Sequence, residues 1–171
     1  MTYEIVIPDH NYKKEAIQVS GWTETAGTML PKSTKELEEL ISNQRSVLLF
    51  KRNFGFVGYA AITYLWPDWW AELGAVVVHP EYRGQGWGTI VVAALVGLAN
   101  TNFADYKHFA LCNKYSLGIF QKNGGRIITD PELLPKEVWK ECLKCPNFQA
   151  AKKEGKLCCD TPVNMTQEGV R

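Results

Sequence analysis

The stretch from Arg83 to Gly88, Arg-Gly-Gln-Gly-Trp-Gly, places three glycines and a cation directly before a segment with helical periodicity. The apolar run from Ala75 to Val78 precedes it, so the pattern predicts a strand, a turn, a glycine-rich loop and a helix. A loop of this kind exposes backbone N–H groups at a helix N-terminus, where the macrodipole favours anions. We therefore expect the N–H groups of residues 84–88, helped by Arg83, to bind a phosphate-bearing ligand.

Two common phosphate-binding loops do not match this stretch. A Walker loop needs a lysine after its glycines, whereas Gly88 is followed by Thr89 and Ile90. A dinucleotide-binding fingerprint would place its third glycine one residue later than Gly88. A turn that is merely rich in glycine is the alternative, but the helix that follows is in register from its first turn. Its apolar face contains Trp87, Ile90, Val91, Ala94, Leu95 and Leu98.

The C-terminal tail contains a second group of residues that could do chemistry, four cysteines. Cys142 and Cys145 have the spacing of metal ligands, and the adjacent pair Cys158 and Cys159 follows 13 residues after Cys145. Tetrahedral zinc is the favoured interpretation, although adjacent strand residues point to opposite faces, so both would ligate only if the backbone turns there. Free thiols and a redox disulfide are the alternatives. Cys112, in a predicted core strand, is interpreted as a small buried hydrophobe.

Periodicity and turn residues predict the elements that position these groups. Strands are expected at Tyr3–Ile7, Ser46–Lys51, Phe56–Tyr64, Trp70–Val78, His108–Cys112 and Arg126–Thr129, and helices at Asn11–Ser20, Thr34–Asn43, Gly86–Asn100 and Lys114–Lys122. Ser33 and Glu36 form a capping box. The second and third strands form an antiparallel hairpin, whereas strands and helices alternate later, which favours parallel pairing there. The prediction is an α/β fold with a mixed central β-sheet flanked by helices.

In the tail, the sequence predicts a helix at Pro135–Leu143 and a closing strand at Leu157–Met165. Residues 149–156 between them are polar and are expected to be flexible.

The composition of the 171-residue chain is that of an ordinary single-domain globule, with 46% hydrophobic and 22% charged residues. A formal net charge of +1 gives no global field that would recruit nucleic acid or an anionic membrane. The chain has neither the ~20 consecutive apolar residues of a membrane helix nor a signal-peptide pattern at its N-terminus. We expect a cytoplasmic protein with reduced cysteines and without nucleic-acid or membrane partners.

The run from Glu72 to Gly88 resembles the acyl-CoA-binding core of the GCN5-related N-acetyltransferases, the GNAT family. The family signature, Arg/Gln-x-x-Gly-x-Gly/Ala, is matched by Arg83, Gly86 and Gly88. A second block with the family's order and spacing resembles Asn-x-x-Ala-x-x-Leu-Tyr-x-x-x-Gly. Its matching residues are Asn113, Ser116, Ile119, Phe120 and Gly124.

This resemblance implies acetyl-CoA as co-substrate, with its pyrophosphate on the glycine-rich loop. The pantetheine arm would pair with the backbone of the fourth strand like an added strand, and Asn113 would touch the arm. A role of Asn113 as helix N-cap is the alternative, and both roles are compatible. The residues so implied in acyl-CoA binding are Val76, Val77, Val78, Arg83, Gly84, Gln85, Gly86, Trp87, Gly88, Asn113 and Phe120.

The resemblance also makes Glu72 the candidate general base. The arm would run back along the fourth strand from the loop, so its thioester end would lie towards Glu72, about 16 Å from Val77 at ~3.3 Å per residue. An alkylammonium has a reference pKa of ~10.4, so its deprotonation near pH 7 needs help, here from a carboxylate acting through an ordered water. A surface glutamate paired with a lysine is the alternative.

Phe120 departs from the family pattern, because many relatives have a tyrosine there that protonates the departing thiolate. A phenyl ring cannot donate a proton, and Tyr115 lies about 140° around the helix from it. Near the acceptor site that the family implies, an aromatic cluster could hold a cationic amine by cation–π contact or pack against the sheet. Its members are Tyr64, Trp66, Trp69 and Trp70.

The expected function is transfer of an acetyl group from acetyl-CoA to a primary amine of a small molecule or peptide by direct attack in a ternary complex. A non-catalytic acyl-CoA-binding module with a partner-recruiting tail is the alternative, supported by the missing tyrosine. The acetyltransferase domain would span residues 1–129, with residues 130–171 as a cysteine-bearing extension packed on it. A homodimer is an open alternative to a single chain.

Overall fold

The computed structural model describes residues 2–8, 12–154 and 158–166. In these ranges the strands are β1 (Tyr3–Val6), β2 (Ser46–Lys51), β3 (Gly55–Trp66), β4 (Trp70–Val78), β5 (Lys107–Cys112), β6 (Arg126–Ile127) and β7 (Thr161–Asn164). The α-helices are α1 (Lys13–Ala26), α2 (Thr34–Ser42), α3 (Trp87–Asn102), α4 (Leu117–Lys122), α5 (Lys136–Lys144) and α6 (Pro146–Glu154). None of the described helices has both the length and the apolar character needed to cross a membrane.

The strands form one mixed sheet in the order β1-β2-β3-β4-β5-β7-β6. This confirms the predicted α/β fold with a mixed sheet. The prediction of parallel pairing in the second half is confirmed for β4 and β5 and wrong for the remaining described strands there, which pair antiparallel. The tail strand β7 lies between β5 and β6 and is antiparallel to both, so β6 never contacts β5 as a sheet neighbour.

Helices cover both faces of the sheet, and each face has its own core. On one face, α3 packs Trp87, Val91 and Leu95 against the strands. On the other, α1 and α2 pack Val19 and Leu37 with their neighbours. Each of these three helices therefore buries apolar side chains against the sheet, which stabilises the layers at roughly 25 cal/mol per Å² of buried apolar surface.

Most predicted boundaries agree with the structure to within a few residues. The capping box of Ser33 and Glu36 is present at the start of α2. The first helix extends to Ala26, six residues beyond the prediction, while its predicted start, Asn11, lies outside the described residues. Strand β6 is shorter than expected, at two residues.

The tail differs more from its prediction. Residues 146–154 form helix α6, where a polar and flexible segment was expected from residue 149. The closing strand begins at Thr161, and its predicted start, Leu157, lies outside the described residues, as do 155 and 156. Helix α6 follows α5 directly, because Pro146 suits the first position of a helix.

The tail packs closely on the rest of the fold at Gly125. A Cβ atom there would lie 2.6 Å from Val163 Cγ1, 2.7 Å from Met165 Sδ and 2.8 Å from the Phe120 carbonyl oxygen. We expect Gly125→Ala to lower the free energy of unfolding by about 1–3 kcal/mol, measured by urea denaturation. Gly118→Ala is the matched control, since its Cβ would meet open space in α4, and it should stabilise by up to about 1 kcal/mol. Equal effects of the two substitutions would contradict this packing.

Candidate active site

The central feature of the sheet is an opening between β4 and β5. The two strands pair only where Trp70 to Glu72 face Lys107 to Phe109. Beyond that point β4 continues to Val78, and β5 pairs with β7 on its far side. Along the opening, the backbone N–H and C=O groups on this edge of β4 therefore form no hydrogen bonds with β5.

A β-bulge bends β4 at the beginning of this opening. Tyr59 faces Val77 and Ala61 faces Gly74, so two residues of β4 stand opposite one residue of β3. Ala75, inside the bulge, has a φ of 49°, which is unusual for a residue with a side chain. Bulges increase the local twist and redirect a strand, which is how β4 departs from β5 here.

The glycine-rich loop lies at the end of β4 and leads into α3. Gly84 and Gly86 have φ values of 75° and 87°, and a Cβ at either would meet open space. Among the described residues, the backbone N–H groups of 84–88 find no hydrogen-bond acceptor. The Arg83 Nε donates to the Val78 carbonyl oxygen at 3.1 Å, which holds the guanidinium beside the loop. Five free donors and a fixed cation make this segment suited to an anion such as a pyrophosphate.

Glu72 lies on β4 beside the opening, and its carboxylate is anchored by one tryptophan. The Trp66 indole N–H donates to Glu72 Oε2 at 3.0 Å. Glu72 forms no salt bridge with any described residue, so the surface ion pair considered as an alternative is not found. Burial raises the pKa of Glu72 to about 7, against the lowering effects of the Trp66 hydrogen bond and the Lys32 charge.

A cavity of about 340 Å³ is lined by Glu72 and extends over the opening in the sheet. Gly74 and Ala75 of β4 line one side and Leu111 of β5 lines the other. The segment between α1 and α2 and the tail supply most of the remaining wall, which is largely apolar. This wall includes Met29, Leu30, Lys32, Tyr64, Trp66, Val138, Phe148 and the four tail cysteines.

The sequence matches the Acetyltransferase (GNAT) family over residues 22–125, more than half of the chain. The chain belongs to the GNAT family. Comparison with curated proteins gives no match. Among solved structures, Rv2747 from Mycobacterium tuberculosis, in complex with CoA and NLQ, is 20% identical with a TM-score of 0.63, covering 87% of this chain and 86% of that one.

Two further solved structures are similar to this GNAT chain. N-acetylglutamate synthase from Neisseria gonorrhoeae, complexed with coenzyme A and N-acetyl-glutamate, is 18% identical with a TM-score of 0.70, and the match covers 98% of this chain. This chain spans only about a third of that protein, 36%. The yncA protein of Salmonella typhimurium, with its cofactor acetyl-CoA, is 15% identical with a TM-score of 0.60, covering 75% and 82% of the two chains. At these identities the likeness shows a common fold.

Several residues that the GNAT signature implied in acyl-CoA binding have their side chains in the core. Trp87 is 1% exposed, and its ring lies 6.3 Å from those of Tyr3 and Tyr82. Phe120 is 2% exposed in the same core, and Val77 is also buried. Because their side chains are buried, Trp87 and Val77 can contact a ligand through their backbone groups.

Asn113 forms a turn and also ties two distant segments together. Its Oδ1 accepts from the N–H groups of Tyr115 and Ser116 at 2.9 and 3.1 Å. Its Nδ2 donates to the carbonyl oxygen of Thr28, between α1 and α2, at 2.7 Å. This turn delays the helix to Leu117, three residues after the predicted start. The alternative role of Asn113 as the N-cap is therefore wrong, because Ser116 is the N-cap of α4 and Asn113 forms the turn before it.

The expectation of a zinc site in the tail is not supported. All four tail cysteines line the cavity, but no group of three or more described His, Cys, Asp or Glu residues could hold a metal ion. The thiols come from the end of α5 and from the segment before β7, and all four line the cavity. Burial raises the pKa of Cys142 and of Cys159 to about 11, and the charge of Glu72 adds to both shifts.

The aromatic cluster divides into residues with different roles. Trp70 is buried and packs edge-on against Phe109 at 5.8 Å, while Trp69 is exposed and packs against Tyr106 at 5.2 Å. Tyr64 and Trp66 line the cavity instead. Trp69 and Trp70 thus pack against neighbouring rings, whereas Tyr64 and Trp66 line the cavity.

Sequence reasoning missed the contribution of Lys32, Met29 and Leu30 to this cavity, and it placed the tail thiols in a separate site. Lys32 lies 40 residues before Glu72, and no local pattern marks such a long-range approach. Only the close packing of the α1–α2 segment, held by Asn113, brings it to the cavity.

Proposed function

We propose that this protein is an N-acetyltransferase that transfers the acetyl group of acetyl-CoA to a primary amine of a small molecule or peptide. The observation that carries the proposal is the position of Glu72, which lines a largely apolar cavity at the opening between β4 and β5. Its pKa of about 7 suits a base that must gain and lose a proton near neutral pH.

The described residues fit acetyl-CoA as the acetyl donor. The free N–H groups of 84–88 and the Arg83 guanidinium would hold its phosphates, since Gly84 and Gly86 leave room for close approach. The unpaired edge of β4, from Gly74 to Val78, would bind the amides of an extended arm as a neighbouring strand does. The thioester supplies the activated acetyl group.

Glu72 would accept a proton from the incoming ammonium, directly or through a water. The free amine then attacks the thioester carbonyl, an amide C–N bond forms and the C–S bond breaks. The amide nitrogen loses a second proton and the departing thiolate gains one, so CoA leaves as the thiol and one proton is released in total. Phe120 donates nothing to the thiolate, because it has no hydroxyl and its ring is buried.

The cavity favours a small acceptor with an apolar body. Its volume of 340 Å³ is at the lower end of the range for small-molecule sites. Met29, Leu30, Val138 and Phe148 supply apolar wall, while Glu72 supplies the charge that attracts an ammonium group.

Release of free CoA from acetyl-CoA, measured with a panel of small amines and short peptides, tests the proposed reaction. Acceptor-dependent release, with an acetylated product in the mass spectrum, is expected. Tight acetyl-CoA binding without release for any acceptor would instead support a non-catalytic acyl-CoA-binding module.

The pH dependence of the reaction should follow the titration of Glu72. A base acts only when unprotonated, so we expect kcat/KM to rise through a pH of about 7 and to fall below it. The titration of the acceptor amine also affects kcat/KM, and it does so equally in the wild type and in Glu72→Gln. The part of the rise near pH 7 that is present in the wild type and missing in Glu72→Gln is therefore due to Glu72. A rise of kcat/KM centred near pH 4.5, the ordinary pKa of a glutamate, would show that burial does not raise the pKa of Glu72.

We further propose that residues 130–171 form an extension that completes the acetyltransferase domain, residues 1–129, and its acceptor cavity. The insertion of β7 between β5 and β6 supports this arrangement. A cytoplasmic setting is consistent with the five cysteines, which are all free thiols.

A further inference from the structure

We propose that Trp66 is a positioning residue for Glu72: its indole N–H fixes one carboxylate oxygen and leaves the other oxygen available to the acceptor amine. This inference rests on the proposed role of Glu72 as the base. The hydrogen bond of 3.0 Å between Trp66 Nε1 and Glu72 Oε2 carries it.

The hairpin between β3 and β4 places these two side chains together. Trp66 pairs with Trp70, and Tyr64 pairs with Glu72, so Trp66 and Glu72 are diagonal neighbours on one face of the sheet. Long side chains reach across this diagonal, and the indole of Trp66 does so while packing on Tyr64 at 5.2 Å. The contact depends on this register, because a shift by one residue would send Trp66 to the opposite face.

The turn that sets this register adopts an unusual conformation. Asp68 and Trp69 both have φ values near 60°, at 58° and 59°, although neither is a glycine. A left-handed conformation in such residues costs free energy, so the surrounding pairs must hold it in place. The short connection therefore leaves Trp66 only six residues before Glu72 and directly beside it.

An indole suits this role better than other donors. It donates one hydrogen bond and accepts none, so it cannot take the proton that the carboxylate must receive. The N–H stabilises the charged carboxylate against the burial that disfavours it. The rigid ring, packed on Tyr64, restricts the rotation of the Glu72 side chain through this hydrogen bond.

Other titratable or charged groups also face Glu72. Variants at Trp66 and Trp69 leave all of these groups in place. Lys32 approaches from the segment between α1 and α2, and Tyr64 from β3. Cys142 of α5 and Cys159 before β7 approach from the tail. At the rim of the cavity, Lys144 pairs with Glu141 at 2.6 Å.

Trp66→Phe tests the inference, because it keeps an aromatic ring and removes the N–H group. We expect the acidic limb of the kcat/KM profile to move up by about one to two pH units, as the carboxylate loses a hydrogen bond to its charged form. Affinity for acetyl-CoA should stay within twofold. Trp69→Phe is the matched control in the same turn, since Trp69 is exposed and packs only on Tyr106 among the described aromatic rings, and its profile should equal that of the wild type.

A double-variant cycle separates positioning from general damage. If Trp66 acts through Glu72, Trp66→Phe should have little further effect on kcat/KM in a Glu72→Gln background. An unchanged profile in Trp66→Phe, with Glu72→Gln strongly impaired, would overturn the inference and leave the proposed function intact. Wild-type turnover in Glu72→Gln would overturn both. If Trp66→Phe does not fold, Trp66→Met, which also lacks a donor, serves the same comparison.

Discussion

Replacing Glu72 by glutamine is expected to lower kcat/KM about 10²–10⁴-fold near pH 8, the usual contribution of general-base assistance. Glutamine keeps the size of the side chain, and its amide oxygen can still accept from the Trp66 indole, so the cavity should keep its shape. It cannot accept the proton of an ammonium. Steady-state kinetics with saturating acetyl-CoA measures this loss.

The loss should be confined to catalysis. Acetyl-CoA affinity, measured by calorimetry, should change less than twofold, because the glycine-rich loop lies at the other end of β4. Glu39→Gln is the control, since Glu39 is an exposed carboxylate on α2, and it should leave kcat/KM unchanged. Wild-type turnover in Glu72→Gln across pH 6–9 would remove Glu72 from the mechanism.

Gly86→Glu should weaken acetyl-CoA binding more than about 100-fold. The glycine sits at the N-cap of α3 with a φ of 87°, where a side chain is strained, and the added carboxylate would place negative charge among the N–H groups that face the phosphates. Repulsion between like charges a few ångströms apart adds to the loss of space. Isothermal calorimetry with acetyl-CoA checks the prediction.

Gly86→Gln separates charge from shape at this position. Both substitutions impose the same backbone strain and nearly the same volume, and a Cβ at Gly86 meets open space in either case. The glutamine variant should therefore bind acetyl-CoA more tightly than the glutamate variant, at equal thermal stability. Equal affinities would mean that shape rather than charge disrupts the loop, and undiminished affinity in both would rule out the loop as the phosphate site.

The sequence alone predicted those parts of this protein whose determinants are local. The glycine-rich loop could be predicted because its glycines, the preceding apolar strand and the following helix are contiguous in the sequence. Strand β4 and helix α2 were placed within one residue of their bounds, since alternation and a capping box act over a few positions. The membership of the GNAT family follows from the same contiguous motifs.

The tertiary structure decided which distant residues share the cavity. Trp66 and Glu72 were both singled out from the sequence, but their hydrogen bond depends on the hairpin register, which no pattern of residues displays. The tail cysteines have a spacing typical of metal ligands, yet the insertion of β7 into the sheet places them along the wall beside Glu72. Strand pairing and side-chain burial are long-range interactions, so the position of these thiols and the raised pKa of Glu72 arise only when the whole sheet is assembled.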